Sequence, residues 1–179
     1  MKKIIITFGL IAGFIIGSFM WLYAYLCEKG VISLDNSETI GYASMVIALS
    51  MVFFGIKSFR DNHSRGAIRF WKGVQVGILI TLIASLMYAV SGEIYYQVNP
   101  QFVNVIMEKY AEQQVSTLKE KGASQEEIDR AANQMAEMMK MMENPVVRFG
   151  IALMEILPVG IIVTLASAAI LRRREVLPA

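Results

Sequence analysis

The chain alternates between long apolar stretches and short polar breaks, and four of the stretches are long enough to cross a bilayer. Ile4–Leu26 holds 23 positions without a charge. A second stretch covers about Thr39–Phe59 and a third about Phe70–Gln97. In the last, Phe149–Leu171, Glu155 is the single charged residue. At about 1.5 Å per residue each exceeds the roughly 30 Å hydrocarbon core, so each predicts a transmembrane helix.

Between the third and last stretches the pattern changes. Residues 101–143 carry eight acidic and five basic side chains, too many for lipid. Asn99-Pro100 opens this segment and Asn144-Pro145 closes it, each reading as an Asn cap with proline at the first helical position. Lys121-Gly122 reads as a helix stop, and Ser124-Gln-Glu-Glu127 as a capping box. Two helices of similar length follow, about Pro100–Lys121 and Gln125–Glu143. Equal arms return the chain to the height it left, which predicts an antiparallel hairpin standing off the membrane. Met135, Met138, Met139 and Met142 form an apolar stripe on its second arm with Ile128, Ala131 and Ala132.

The expected fold is therefore an all-α membrane protein with four transmembrane helices and an extracytoplasmic helical hairpin between helices three and four. Residues 1–98 hold the first three spans and a basic loop at 57–72. Residues 99–144 form the hairpin, and 145–179 the fourth span with a basic tail.

Composition agrees with a lipid-solvated fold: 55% of residues are hydrophobic, 18% are charged, and the mean hydropathy is +0.49. Charge sets the expected orientation. Lys2, Lys3, the 57–72 loop and Arg172–Arg174 hold ten basic residues. The opposite segments, 27–38 and 91–144, hold twelve acidic and six basic ones. By the bias of basic residues toward the cytoplasm, both termini and the central loop lie inside, in a cytoplasmic (inner) membrane. The N-terminus resembles a signal peptide, but its apolar run is too long and no small-x-small cleavage site follows, so a retained span is expected.

Cys27 and His63 are the only residues of their types, which excludes an intramolecular disulfide and argues against a His/Cys zinc site within one subunit. The cations of the 57–72 loop, beside Phe70 and Trp71, suit a topology signal first and anionic lipid heads second. They are too few for nucleic-acid binding.

Several constellations are candidates for chemistry or assembly. Gly9, Gly13 and Gly17, and then Gly73 and Gly77, strip helix faces for close packing, within one subunit first and in a homo-oligomer second. Glu155 lies roughly 10 Å inward from Arg148 along its helix, where a carboxyl needs a proton, a partner or a wet cavity. Tyr88 and Ser50 are expected at comparable depth as hydrogen-bond partners, and Pro158 frees the carbonyl of Met154 nearby. Glu93 and Arg148 are placed to form a salt bridge at the outer boundary. The methionine stripe, with Met141, offers soft thioethers that suit Cu(I), although methionine is first an adaptable core filler. No G-x-S-x-G, phosphate-cradling glycine loop, H-E-x-x-H or C-x-x-C is present, so neither enzyme chemistry nor a cofactor is expected.

The runs GYASMVIALSMVFFGIKSFRDN, VGILITLIASLMYAVSGEIYYQ and NPVVRFGIALMEILPVGIIVTLASAAILRRRE resemble, in order and over nearly the whole chain, a bacterial membrane-protein family catalogued as domain of unknown function 4199. The resemblance implies a four-helix integral membrane protein and brings no mechanism. Two functional expectations stand beside each other. One is an interaction or scaffold protein that meets envelope partners through the hairpin. The other is a small proton- or cation-coupled carrier or channel subunit using Glu155.

Overall fold

The computed structural model describes residues 1–29, 31, 37–64 and 66–173. Six helices run in order: α1 Lys2–Glu28, α2 Ser37–His63, α3 Phe70–Val98, α4 Pro100–Glu120, α5 Gln125–Met142 and α6 Pro145–Leu171. Four of these, α1, α2, α3 and α6, are long and apolar enough to cross a membrane, and α4 and α5 form a pair between the third and fourth. Asn36 and the side chain of Ser37 at the start of α2 fall outside the described residues, as do Arg65 of the basic loop and Arg174 and Glu175 of the tail.

The spans run a little longer than the apolar pattern alone indicates. Past Phe59, α2 continues to His63, whose ring stacks on Phe59 at 5.5 Å. These positions are one helical turn apart, so the stack itself supports the extra turn.

Packing is densest where side chains are smallest. α3 is the central helix, lying along both α6 and α1, while α2 closes against all three. The α1 glycines face α3: a Cβ at Gly13 would lie 2.6 Å from the Cβ of Met87, and one at Gly9 would lie 2.7 Å from that of Ile83. Gly73 and Gly77 face Ala168 and Thr164 of α6 in the same way. Both glycine faces are thus used inside the subunit and are closed to a second copy. Thr81 and Thr164, each fully buried, meet at 3.4 Å between hydroxyls, and Ser85 donates to the Thr81 carbonyl at 2.8 Å. Such pairings matter because lipid offers a stray hydroxyl no alternative partner.

The packing is uneven along the bundle. On α6 the buried residues begin at Ile156 and continue to Leu171, and nothing N-terminal to Ile156 is buried. Among the described residues of α2, burial begins at Met45 and continues through Ala48, Leu49, Val52, Ile56 and Phe59. One end of the bundle is therefore a close-packed core, sealed by an antiparallel backbone bridge in which Ile68 and Arg173 exchange two hydrogen bonds of 3.1 Å. At the other end α2 and α6 part. Outward faces carry Phe14, Ile47, Ile162 and Ile170, all exposed, as a lipid-facing surface requires.

The hairpin follows its sequence signals with one exception. Gly122 takes a positive φ of 71°, ending α4 with the Ala123 N–H on the Leu118 carbonyl. Ser124 and Glu127 then form the expected capping box, the Ser124 N–H donating to Glu127 Oε2 at 2.8 Å. That backbone bond, with a second from the Ser124 hydroxyl, holds the Glu127 carboxyl below its usual range. Asn144 caps α6 by accepting from the Val146 N–H at 2.9 Å. Asn99 makes no such bond. It is the single residue joining α3 to α4, its own N–H closes α3 on the Tyr95 carbonyl, and its ψ of 59° is set by that joint.

The hairpin also lines two cavities together with the bundle. Val105, Ile106 and Lys109 of α4 share one with Cys27 at the end of α1, and Tyr110 lines the cavity at the open end of the bundle.

Candidate functional site

Where α2 and α6 part, a cavity of about 290 Å³ enters the bundle. Its walls are apolar, from Ile16, Phe19 and Met20 of α1 and Ile40 and Met45 of α2. Tyr110 of α4 forms part of the roof, and Tyr88 and Glu155 contribute the polar lining from α3 and α6. A second cavity of about 220 Å³ extends from the same Met20, Tyr88 and Glu155 to Glu93 and Arg148. Glu155 thus lines both cavities, at the level where the buried core begins with its neighbour Ile156.

Each polar side chain is positioned by its helix. Tyr88 stands one turn above the buried Ala84 on α3 and donates its hydroxyl to Glu155 Oε2 at 3.3 Å. That is long against the usual value of about 2.7–2.8 Å for such bonds. A carboxylate can accept several hydrogen bonds, so this one leaves most of its capacity open. Among the described residues no cation pairs with Glu155. The nearest arginine along the helix, Arg148, is committed elsewhere.

Arg148 uses its whole guanidinium. Nη2 donates to Glu93 Oε1 at 2.6 Å and Nε to Oε2 at 2.9 Å, a fork-to-fork pair with only 10% and 20% of the two side chains exposed. Nη1 donates to the Met142 and Glu143 carbonyls at 2.7 and 3.0 Å, satisfying the end of α5. The group stacks over the Tyr96 ring at 3.6 Å. Glu93 and Arg148 thus form a salt bridge that also anchors the hairpin to α3 and α6. Beside it, Trp21 donates to Ser91 at 3.0 Å and meets Tyr95 edge-on at 5.1 Å.

Ser50 does not join the polar cluster. Its hydroxyl donates to the Ile47 carbonyl of its own helix at 2.6 Å, the local acceptor open to a serine inside a helix. Ser44, nearly two turns closer to the open end, is the α2 serine that lines the cavity. Counting residues from helix ends misjudged the depth, because α2 and α6 diverge. Tyr110 was missed as well; its only sequence signal is its one-turn spacing from Ile106 on a charged helix.

The methionine stripe lies on the second arm of the hairpin. Met135, Met139 and Met142 are half-buried, while Met138 and Met141 are exposed. Among the described residues no group of three His, Cys, Asp or Glu side chains is arranged to hold a metal.

No curated protein and no solved structure matches this chain. A family model does, over residues 7–173, taking in all four spans and the hairpin. The chain therefore belongs to the family described as protein of unknown function DUF4199.

Proposed function

We propose that this protein is a small proton- or cation-coupled carrier of a cytoplasmic membrane, with Glu155 as the ion-binding carboxyl and no catalytic role. The observation that carries the reading is the position of Glu155: it ends an open vestibule, holds one long hydrogen bond and has no cationic partner among the described residues. A carboxyl kept at that depth without a counter-ion is costly unless an arriving ion uses it. The packed core beneath it and the open end above it suit an outward-facing state, with the termini and the 57–72 loop inside. Four helices make a narrow pathway, so the working carrier is an oligomer assembled through lipid-facing surfaces other than the glycine faces.

Proteoliposomes carrying a pH-sensitive dye test this directly. Wild-type protein should move protons down an imposed gradient, and Glu155→Gln should abolish the movement while the helical signal stays intact. Equal flux from both proteins would sink the reading.

One observation favours a second role. Met138 and Met141, 45% and 60% exposed, offer apolar side chains on the α5 side of the hairpin. This surface fits an envelope protein partner. Crosslinking mass spectrometry on native membranes should then yield a defined partner that disappears with Met138→Lys/Met141→Lys, a change that leaves the vestibule lining untouched.

A further inference from the structure

We infer that the vestibule takes a lipophilic monocation, an ammonium group on an apolar body, with the ammonium at Glu155 and the body against α1 and α2. The inference rests on the carrier reading and names its substrate class. A proton or a metal ion requires only a carboxyl and water. Here the carboxyl lies in a cavity of about 290 Å³ whose other walls are mainly Ile16, Phe19, Met20, Ile40 and Met45. That volume is at the lower end for small-molecule sites, which typically combine apolar walls with a few polar groups.

Three features define the ligand. Among the described residues that line the cavity, Glu155 is the one carboxylate and no lysine or arginine accompanies it, so the complementary charge is a single positive one. Tyr88 and Tyr110 line the same space, and tyrosine faces attract an ammonium or quaternary nitrogen within about 6 Å. A divalent metal would need several oxygen ligands, whereas Glu155 has no second acid nearby in the cavity. The lining has no arginine to hold a phosphate or carboxylate, and Arg148, in the adjoining space, is saturated by Glu93 and two carbonyls.

Tyr110 of α4 also lines the vestibule, and its ring excludes water from part of the space, which strengthens the attraction of a bound cation to the carboxylate.

The test uses the full chain in lipid nanodiscs and isothermal titration with benzyltrimethylammonium. Tetramethylammonium, which is the head alone, and benzenesulfonate, an anion with the same ring, serve as comparisons. The expected result is saturable binding of benzyltrimethylammonium at one per subunit, at least about tenfold weaker binding of tetramethylammonium, and none of benzenesulfonate. Glu155→Gln should weaken the first by about tenfold or more, the loss of one close charge pair in a partly desolvated site. Ile40→Trp, which fills the wall opposite without touching the carboxyl, should weaken it too, guarding against a fold defect specific to Glu155→Gln.

Binding that is absent, that ignores both substitutions, or that is equal for head and full ligand overturns the inference. Failure here with Glu155-dependent proton movement retained in proteoliposomes removes only the substrate class. Failure of both removes the carrier reading itself.

Discussion

Arg148 grips Glu93 through two nitrogens, at 2.6 and 2.9 Å, and gives its third to the carbonyls that end α5. One side chain thus fastens α3, α6 and the hairpin at a single point. Removing it strands a half-buried carboxylate and two helix-end acceptors together. Arg148→Ala should cost about 2–4 kcal/mol in denaturant titrations of the detergent-solubilised protein, a little less than for breaking a fully buried ion pair. Arg148→Lys should recover less than half of it, because an ammonium cannot serve the carboxylate fork and the carbonyls at once.

The α1–α3 seam predicts a second stability effect. At Gly13 a methyl would press on the Cβ of Met87, an atom fixed to the backbone, so Gly13→Ala should destabilise by about 1–3 kcal/mol. Gly41→Ala places its methyl in open space inside a helix and should leave stability unchanged or raise it by up to about 1 kcal/mol. Equal effects at the two sites, measured by the same unfolding assay, would show that α1 does not dock on α3 through this face.

The capping box predicts a pH response of the hairpin. Glu127 is held below its ordinary range by the Ser124 N–H and hydroxyl, so its contribution is fully present above the unfolded carboxylate value near about 4.3. It is lost as pH falls through the lower folded value. The protection of α5 amides, taken relative to their intrinsic exchange at each pH, should fall in that acid window for the wild type. In Ser124→Ala exchange should already be faster at neutral pH, by the equivalent of about 1 kcal/mol, and respond less to acid.

Orientation can be read from the one native thiol. Cys27 is half-buried at the hairpin end of α1. With the proposed topology, a membrane-impermeant maleimide should label it in intact cells. A Lys3→Cys variant carrying Cys27→Ser should label only after permeabilisation. The opposite pattern would reverse the assignment of sides.

The spans were readable because lipid imposes a length and excludes charge, and few side-chain patterns satisfy both. The Glu93–Arg148 pair was readable for the same reason: two opposite charges at the same boundary of neighbouring helices have few other partners. The vestibule was not. It depends on where α2 and α6 stop touching, a property of two helices in space that neither helix's periodicity contains. Ser50 illustrates the difficulty, since its hydroxyl is satisfied by its own helix and its sequence position alone does not show which face it takes. Tyr110 illustrates the converse: a helix charged enough to look fully solvated still places an aromatic ring in the lining of the cavity.

The bridge between Ile68 and Arg173 has a consequence for how this protein tolerates change. Both of its hydrogen bonds are backbone to backbone, so almost any pair of side chains at these positions preserves them. Only proline, which lacks the N–H, removes one outright. At Arg173 the fastening of the two chain segments is therefore nearly silent in alanine scanning, whereas at Ile68, 3% exposed in the core, truncation reports the lost burial of the side chain and not the bridge.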